Sequence, residues 1–230
     1  LGLDALIILK FNKAFAQIPA KNFVLDVLVN GLKAKHIVAG YDFVFGHNRG
    51  GNCDLLFKLG NVHGFNFTAV NQVKNSINEV YSSTSIRKLI KLGDLSKARD
   101  MLGRDFSILG RVAHGKKLGR NLGFPTANVH LSNSIRPKFG VYAVRIEFLD
   151  SKTNQLADGV ANIGRRPTVN GDGEILEVFI FDFDQNIYMQ KIKISLVEFI
   201  RTEVKFEKLE TMVMAMKHDA EVAKSILASK

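Results

Sequence analysis

Between Gly110 and Asn128 the chain sets residue types that suit phosphate beside types that suit a hard cation. Gly110, Gly115, Gly119 and Gly123 recur at short intervals ahead of Pro125. Glycines at that density allow close backbone approach, and their free N–H groups suit phosphate oxygens. Thr126 and Asn128 follow two residues apart, a hydroxyl and an amide that make a compact oxygen-donor pair for a hard cation. Spacing alone equally allows ordinary turn residues opening a strand. The chemistry implied is a nucleotide phosphate with Mg2+.

Other side chains carry two readings each. Ser82, Ser83 or Thr84 can cap a helix from Ile86 to about Leu92, whose N-terminus, with Arg87 beside it, concentrates free N–H groups for phosphate. The alternative is a plain cap and a surface arginine. Glu177 lies in a strand-like run, where a glutamate is normally solvated. Arg201, Glu203 and Phe206 read as a cross-strand ion pair and a core aromatic.

The elements that must position these residues change character along the chain. Ala5 to Leu9 reads as a buried parallel strand. Asn22 can cap a helix with Phe23, Val24, Val27 and Leu28 on one face. His36 to Ala39 and Phe65 to Val70 read as strands, with a short helix from Cys53 to Leu59 between them. That alternation predicts a doubly wound parallel sheet, with ligands at the carboxyl ends of strands. Leu95 to Leu102 is a further helix, and Gly103-Arg104-Asp105 the expected boundary between domains 1–106 and 107–230. Beyond it, Gly140 to Phe148, Glu174 to Phe183 and Ile187 to Ile200 are strand-rich and predict an antiparallel β-barrel. Glu207 to Leu227 closes the chain as a helix. Its stripe of Leu209, Met212, Val213, Met216, Ala220, Ala223 and Leu227 reads as core packing.

Composition excludes several classes. The 230 residues are 46% hydrophobic, ordinary for a packed core, with a net charge of +10. Residues 1–106 hold 14 basic and 8 acidic side chains (+6) and residues 107–230 hold 18 and 14 (+4), so the excess is spread out. That pattern suits a small polyanion better than a nucleic-acid tract. Cys53 is the single cysteine, so no intrachain disulfide forms and a reducing, cytoplasmic compartment is expected. No apolar run reaches the length of a membrane span. The six histidines show no metal-ligand spacing.

The segment Gly119-Arg120-Asn121-Leu122-Gly123-Phe124-Pro125-Thr126-Ala127-Asn128, followed by Pro137-Lys138-Phe139-Gly140-Val141-Tyr142, resembles the riboflavin kinase module. Asn162-Ile163-Gly164-Arg165-Arg166-Pro167-Thr168, the strand from Glu177 to Asp184, and Phe199 to Phe206 are similar to that family's later blocks, in the same order. The resemblance implies Mg2+-dependent transfer of the ATP γ-phosphoryl group to the 5′-hydroxyl of riboflavin, giving FMN. It implies Thr126 and Asn128 as metal ligands and Glu177 as general base. It places Gly110, Gly115, Gly119, Gly123, Pro125, Thr126, Asn162 and Thr168 around ATP, with Gly110 to Gly123 a mobile phosphate flap, and Arg201, Glu203 and Phe206 around the flavin. Its partners are small molecules, with no nucleic acid and no membrane. A flavin- or nucleotide-binding module without turnover is the alternative.

Upstream, Gly40-Tyr41-Asp42-Phe43-Val44-Phe45-Gly46 and Tyr81 to Arg87 resemble the FMN adenylyltransferase (FAD synthetase) domain that accompanies this kinase in bifunctional bacterial proteins. There Gly40, Asp42, Phe43, Gly46, Ser82, Ser83, Thr84 and Arg87 would serve the nucleotide. The family's H-x-G-H motif is absent and the sequence starts at Leu1. The expectation is a fragment or degenerate copy of that domain, with FMN adenylylation lost. Met189 stands where the kinase family usually has glycine, which implies an altered turn.

Overall fold

The structure is a computed structural model describing residues 2–74, 78–114, 123–131, 135–150, 155–168 and 171–230. The side chains of residues 166–168 and 171–172 are outside the description. By contacts the chain forms two compact units, Leu1–Val80 and Tyr81–Lys230.

The first unit is a small α/β assembly. After α1 (Lys13–Ala16), α2 (Ala20–Asn22) continues into a π-helical stretch, Phe23–Gly31, closed by a bond from Leu32 N to Val27 O. Asn22, expected as a cap, is itself helical and caps nothing. Pro19 takes the cap position instead, because its fixed φ and missing N–H suit the start of a helix. β1 (His36–Gly40) and β2 (Asn66–Val70) pair in parallel, joined through α3 (Cys53–His63). Asn52 caps α3, its Oδ1 accepting from Leu55 N at 3.0 Å. Val24, Phe45, Leu56, Leu59 and Phe65 form the core. The expected strand Ala5–Leu9 is not formed: the segment has no strand partner among the described residues, and Leu6 and Ile8 are exposed. An apolar run acquires sheet structure only where a neighbour supplies hydrogen bonds.

The second unit is a closed six-stranded barrel with helices outside it. α4 (Ser83–Leu92) and α5 (Leu95–Leu102) come first, ending at Gly93 and Gly103 in left-handed caps. They were expected upstream of a boundary near Gly103, yet Leu95 joins the barrel core and Arg99 Nη2 donates to Val197 O at 2.8 Å. The strands are β3 (Phe106–Ala113), β4 (Thr126–His130), β5 (Gly140–Phe148), β6 (Leu156–Thr168), β7 (Gly171–Ile180) and β8 (Lys191–Arg201). Their order around the barrel is β3-β4-β7-β6-β5-β8, closed by β8 on β3, and every pairing is antiparallel.

Alternation divides each strand between two faces. Ala127, Val129, Tyr142, Val144, Ile163, Leu176, Val178 and Ile194 fill the interior. Residues of the opposite parity face outward, where α6 (Leu209–Ala228) covers part of the wall. There Ala220, Ala223 and Leu227 pack on Ala143 and Val197.

Candidate active site

Thr126 and Asn128 flank the inward Ala127, so both lie on the outer face of β4. Register then assembles the site. Asn128 pairs with Glu177 on β7, Glu177 with Asn162 on β6, Asn162 with Val141 on β5, and Val141 with Arg201 on β8. Directly paired residues share a face. One lateral row therefore carries a proposed metal ligand, the proposed base and a proposed flavin contact, drawn from segments far apart in sequence.

Two irregularities aim the end of that row. β8 skips Val197 and Ile200 in its pairing with β5, breaking strict alternation just before Arg201. Gly140 has φ 148°, and a Cβ there would lie 2.2 Å from Arg201 O and 2.7 Å from the Phe199 ring. Only glycine lets β5 approach the end of β8 so closely.

A cavity of about 240 Å³ opens over Glu177, Asn162, Val141 and Arg201 of this row. Thr126, Asn162, Glu177, Arg201, Glu203 and Asp219 are its polar wall; Phe124, Phe179, Phe206, Met212 and Met216 are prominent in its apolar one. Asn162 Nδ2 donates to Glu203 Oε1 at 3.3 Å. Arg201 donates from Nε and Nη2 to the two oxygens of Asp219, at 2.8 and 2.6 Å. A second cavity, about 470 Å³, is lined by Pro125, Thr126 and Asn128 together with residues 183–188, including Asp184, Asn186 and Tyr188. The Tyr188 ring stacks on His114 at 4.0 Å between centroids. Thr126 is a wall of both cavities.

Asn128 is 6% exposed, and its Oδ1 has no hydrogen-bond partner among the described residues, while Nδ2 donates to Thr126 O at 3.4 Å. An unsatisfied buried carbonyl costs about 1–3 kcal/mol. A bound cation would satisfy it, and an amide oxygen beside a hydroxyl is an oxygen-only donor pair that fits Mg2+. Burial also marks Tyr142, on the inner face: its hydroxyl donates to Lys138 O, and its phenol is pushed well above the ordinary range by desolvation.

The remaining expected residues distribute as follows. Gly110 lies in β3 against Val129 and lines neither cavity. Gly123 precedes Phe124 with φ 81°. Gly115 and Gly119 fall outside the described residues, as does the Thr168 side chain. Asn162, expected beside ATP, lines the smaller cavity with Glu177 and Glu203. In the first unit, Gly40 ends β1 and Asp42, Phe43 and Gly46 lie in the loop after it, with Phe43 stacked on Phe45. Ser82 caps α4, its Oγ accepting from Ser85 N at 3.0 Å; Ser83, Thr84 and Arg87 ride on that helix in the second unit. Met189 has φ 65° and is exposed.

Sequence reasoning missed Phe124, Phe179, Asp219 and the part played by Met212 and Met216. Periodicity puts the two methionines in the core stripe, although only the later half of that stripe is deeply buried. The available signal was Asp219 itself, an acid directly preceding the buried Ala220.

Comparison with known proteins accords with this geometry. A family model described as riboflavin kinase matches residues 102–227, and one described as FAD synthetase matches residues 1–85. The bifunctional riboflavin kinase/FMN adenylyltransferase of Haemophilus influenzae is 40% identical over 227 residues, covering 99% of this chain and 72% of that protein. The protein of the same name from Escherichia coli K12 is 39% identical over 218 residues, covering 95% and 68%. Among solved structures, that of a macrolide-efflux protein from Streptococcus pneumoniae superposes with a TM-score of 0.77 at 32% identity, covering 93% of this chain and 67% of that one. Among the described residues here, no helix is long and apolar enough to cross a membrane.

Proposed function

The chain belongs to the riboflavin kinase family, with an FAD synthetase segment ahead of the kinase residues, and from that premise we propose that it phosphorylates riboflavin to FMN with ATP. Residues 107–230 hold the site of this activity, and residues 1–85, matched by the FAD synthetase model, are the adenylyltransferase-like part. The observation that carries the reading is the position of Thr126, a wall of both cavities, with Glu177 in one and Asn128 in the other. Two substrates that must touch at one phosphorus need two compartments with a common boundary.

Riboflavin occupies the smaller cavity. Phe124, Phe179, Phe206, Met212 and Met216 suit a flat aromatic ring system. Arg201 and Glu203 hold its flavin side, and Asn162 acts beside them. ATP occupies the larger cavity, whose volume is ample for a nucleotide. Thr126 and Asn128 would hold Mg2+, which, when bound, neutralises charge on the transferring phosphate. Glu177 accepts the proton of the 5′-hydroxyl as that oxygen bonds to the γ-phosphorus. The bond from the γ-phosphorus to the β–γ bridging oxygen breaks, and ADP leaves with its electron pair. Positioning and charge neutralisation do most of the work in such transfers.

The test is the purified chain with riboflavin, ATP and Mg2+, with riboflavin, FMN and FAD separated by chromatography. FMN is expected, abolished by chelation of the metal. No FAD is expected, since the sequence contains no H-x-G-H to stabilise an adenylyl transfer. Glu177→Gln should lower kcat by about 10² to 10⁴. Near wild-type turnover in that variant refutes the role of Glu177. Bound flavin without FMN refutes the kinase.

A further inference from the structure

Arg201 stands at the end of β8, where the chain leaves the barrel for residues 202–208 and α6. Its guanidinium is a planar fork of five N–H donors. Nε and Nη2 donate to Asp219 Oδ1 and Oδ2 at 2.8 and 2.6 Å, and Nη1 donates to Thr202 O at 3.0 Å. The guanidinium carbon lies 5.9 Å from the centre of the Phe206 ring. The group thus touches the helix, the connector's first carbonyl and the aromatic ring near the connector's far end.

Asp219 is 4% exposed, the one buried carboxylate among the described residues. A carboxylate leaves water only when it is paired and hydrogen-bonded, so the fork is fixed in plane and direction. As a mere fastening of helix to barrel the pair is a poor choice, because apolar residues of similar volume serve as well or better. Ala220, Ala223 and Leu227 already do that work on the same helix. Asp219 sits where the helix leaves this apolar seam and becomes a wall of the smaller cavity, with Met212 and Met216 also facing it. Glu203, Val204 and Phe206, all from the connector, are walls of that cavity too.

We infer that Asp219 is a positioning residue for the flavin side: through Arg201 it sets the connector 202–208, and with it Glu203 and Phe206, in the arrangement that receives the flavin. The inference rests on the smaller cavity being the riboflavin site. Asp219 acts through Arg201 and belongs to no proton transfer.

The experiment measures riboflavin affinity by quenching of flavin fluorescence, and ADP affinity by calorimetry, for the wild-type chain, Asp219→Asn and Asp219→Glu. The asparagine keeps the shape and loses the charge and one ionic acceptor. Its riboflavin Kd should rise about tenfold, the scale of one charge-assisted fork, with ADP binding within twofold of wild type. Glutamate should restore part of the loss. Equal weakening of both ligands, or a lowered Tm with both constants unchanged, would leave only a structural fastening and overturn the inference. Should Asp219→Asn not fold, Arg201→Lys keeps the charge without the fork; the same split is expected, and unchanged riboflavin binding overturns the inference. A wild-type chain that binds riboflavin but makes no FMN removes the kinase reading, while the ratio of the two constants still decides Asp219. A wild-type chain that binds no riboflavin overturns both.

Discussion

Replacing Gly164 with alanine separates the flavin wall from the stability of the barrel. Gly164 lies in β6 and is absent from the glycines of positive φ, so alanine accepts its backbone. A Cβ there would stand 1.8 Å from Glu203 Oε1 and 2.6 Å from Cδ. Atoms do not share that space, and the carboxylate must move. It moves at small cost, since Glu203 is exposed and the atoms in conflict are the end of a flexible side chain. What is lost is the hydrogen bond from Asn162, worth about 1 kcal/mol. Alanine returns about 0.4–1 kcal/mol by narrowing the unfolded ensemble. Net stability therefore stays within about 1 kcal/mol, a Tm shift of roughly 2–4 °C at most. The displaced carboxylate should raise the KM for riboflavin about fivefold, the equivalent of 1 kcal/mol, with the KM for ATP unchanged. Steady-state kinetics with each substrate varied, beside a thermal melt, reads both quantities. A riboflavin KM within twofold of wild type means that Glu203 is not part of the flavin wall. A loss of several kcal/mol means that the conflict is with the fold.

Two further predictions test the barrel. Tyr142 keeps its proton in the folded state at pH values where the unfolded phenol, near pKa 10.0, has lost it. Its stabilising contribution is thus complete below pH 10.0 and declines as pH rises above it, by about 1.4 kcal/mol per pH unit. Tyr142→Phe should be about 1 kcal/mol less stable than wild type near neutrality, through loss of the bond to Lys138 O, and the gap should close between pH 10 and 11. A gap that is constant to pH 11 in urea titrations contradicts this. Met189, with φ 65°, bears a left-handed cost of about 1–2 kcal/mol that glycine does not. Because Met189 is exposed, Met189→Gly should raise the Tm modestly even after the extra chain entropy of glycine; a lowered Tm shows that the side chain packs productively.

The sequence was most legible where chemistry and periodicity coincide locally. Thr126 and Asn128 are two residues apart on a strand, so their common face follows from the pleat alone. The cap of α4 is likewise local, for Ser82 is the first of a run of adjacent hydroxyl residues where the helix starts. What local sequence does not carry is register. Asn162 was expected beside ATP, and only the pairing of β6 with β7 sets it opposite Glu177. The same holds for α6, whose periodicity shows an apolar stripe without showing where the barrel beneath it ends. Met212 and Met216 therefore looked like Ala220 and Leu227, and the significance of Asp219 was hidden. Asn22 and Ala5–Leu9 failed for a related reason. A cap competes with a neighbouring proline, and a strand exists only beside a partner.

The division of β7 between an apolar inner row and an outer row that carries Glu177 has a consequence for how this protein tolerates change. Leu176 and Val178 face the interior and Glu177 between them faces out. Substitutions at outward positions can thus retune chemistry while the interior stays intact. Deletion of one residue within β7 has the opposite effect, since it rotates the rest of the strand by half a turn. The carboxylate would enter the hydrocarbon interior as an aliphatic side chain left it, and fold and catalysis would fail in one event. Lineages of this barrel should therefore record many exchanges on the outer rows, with length changes confined to the connections between strands.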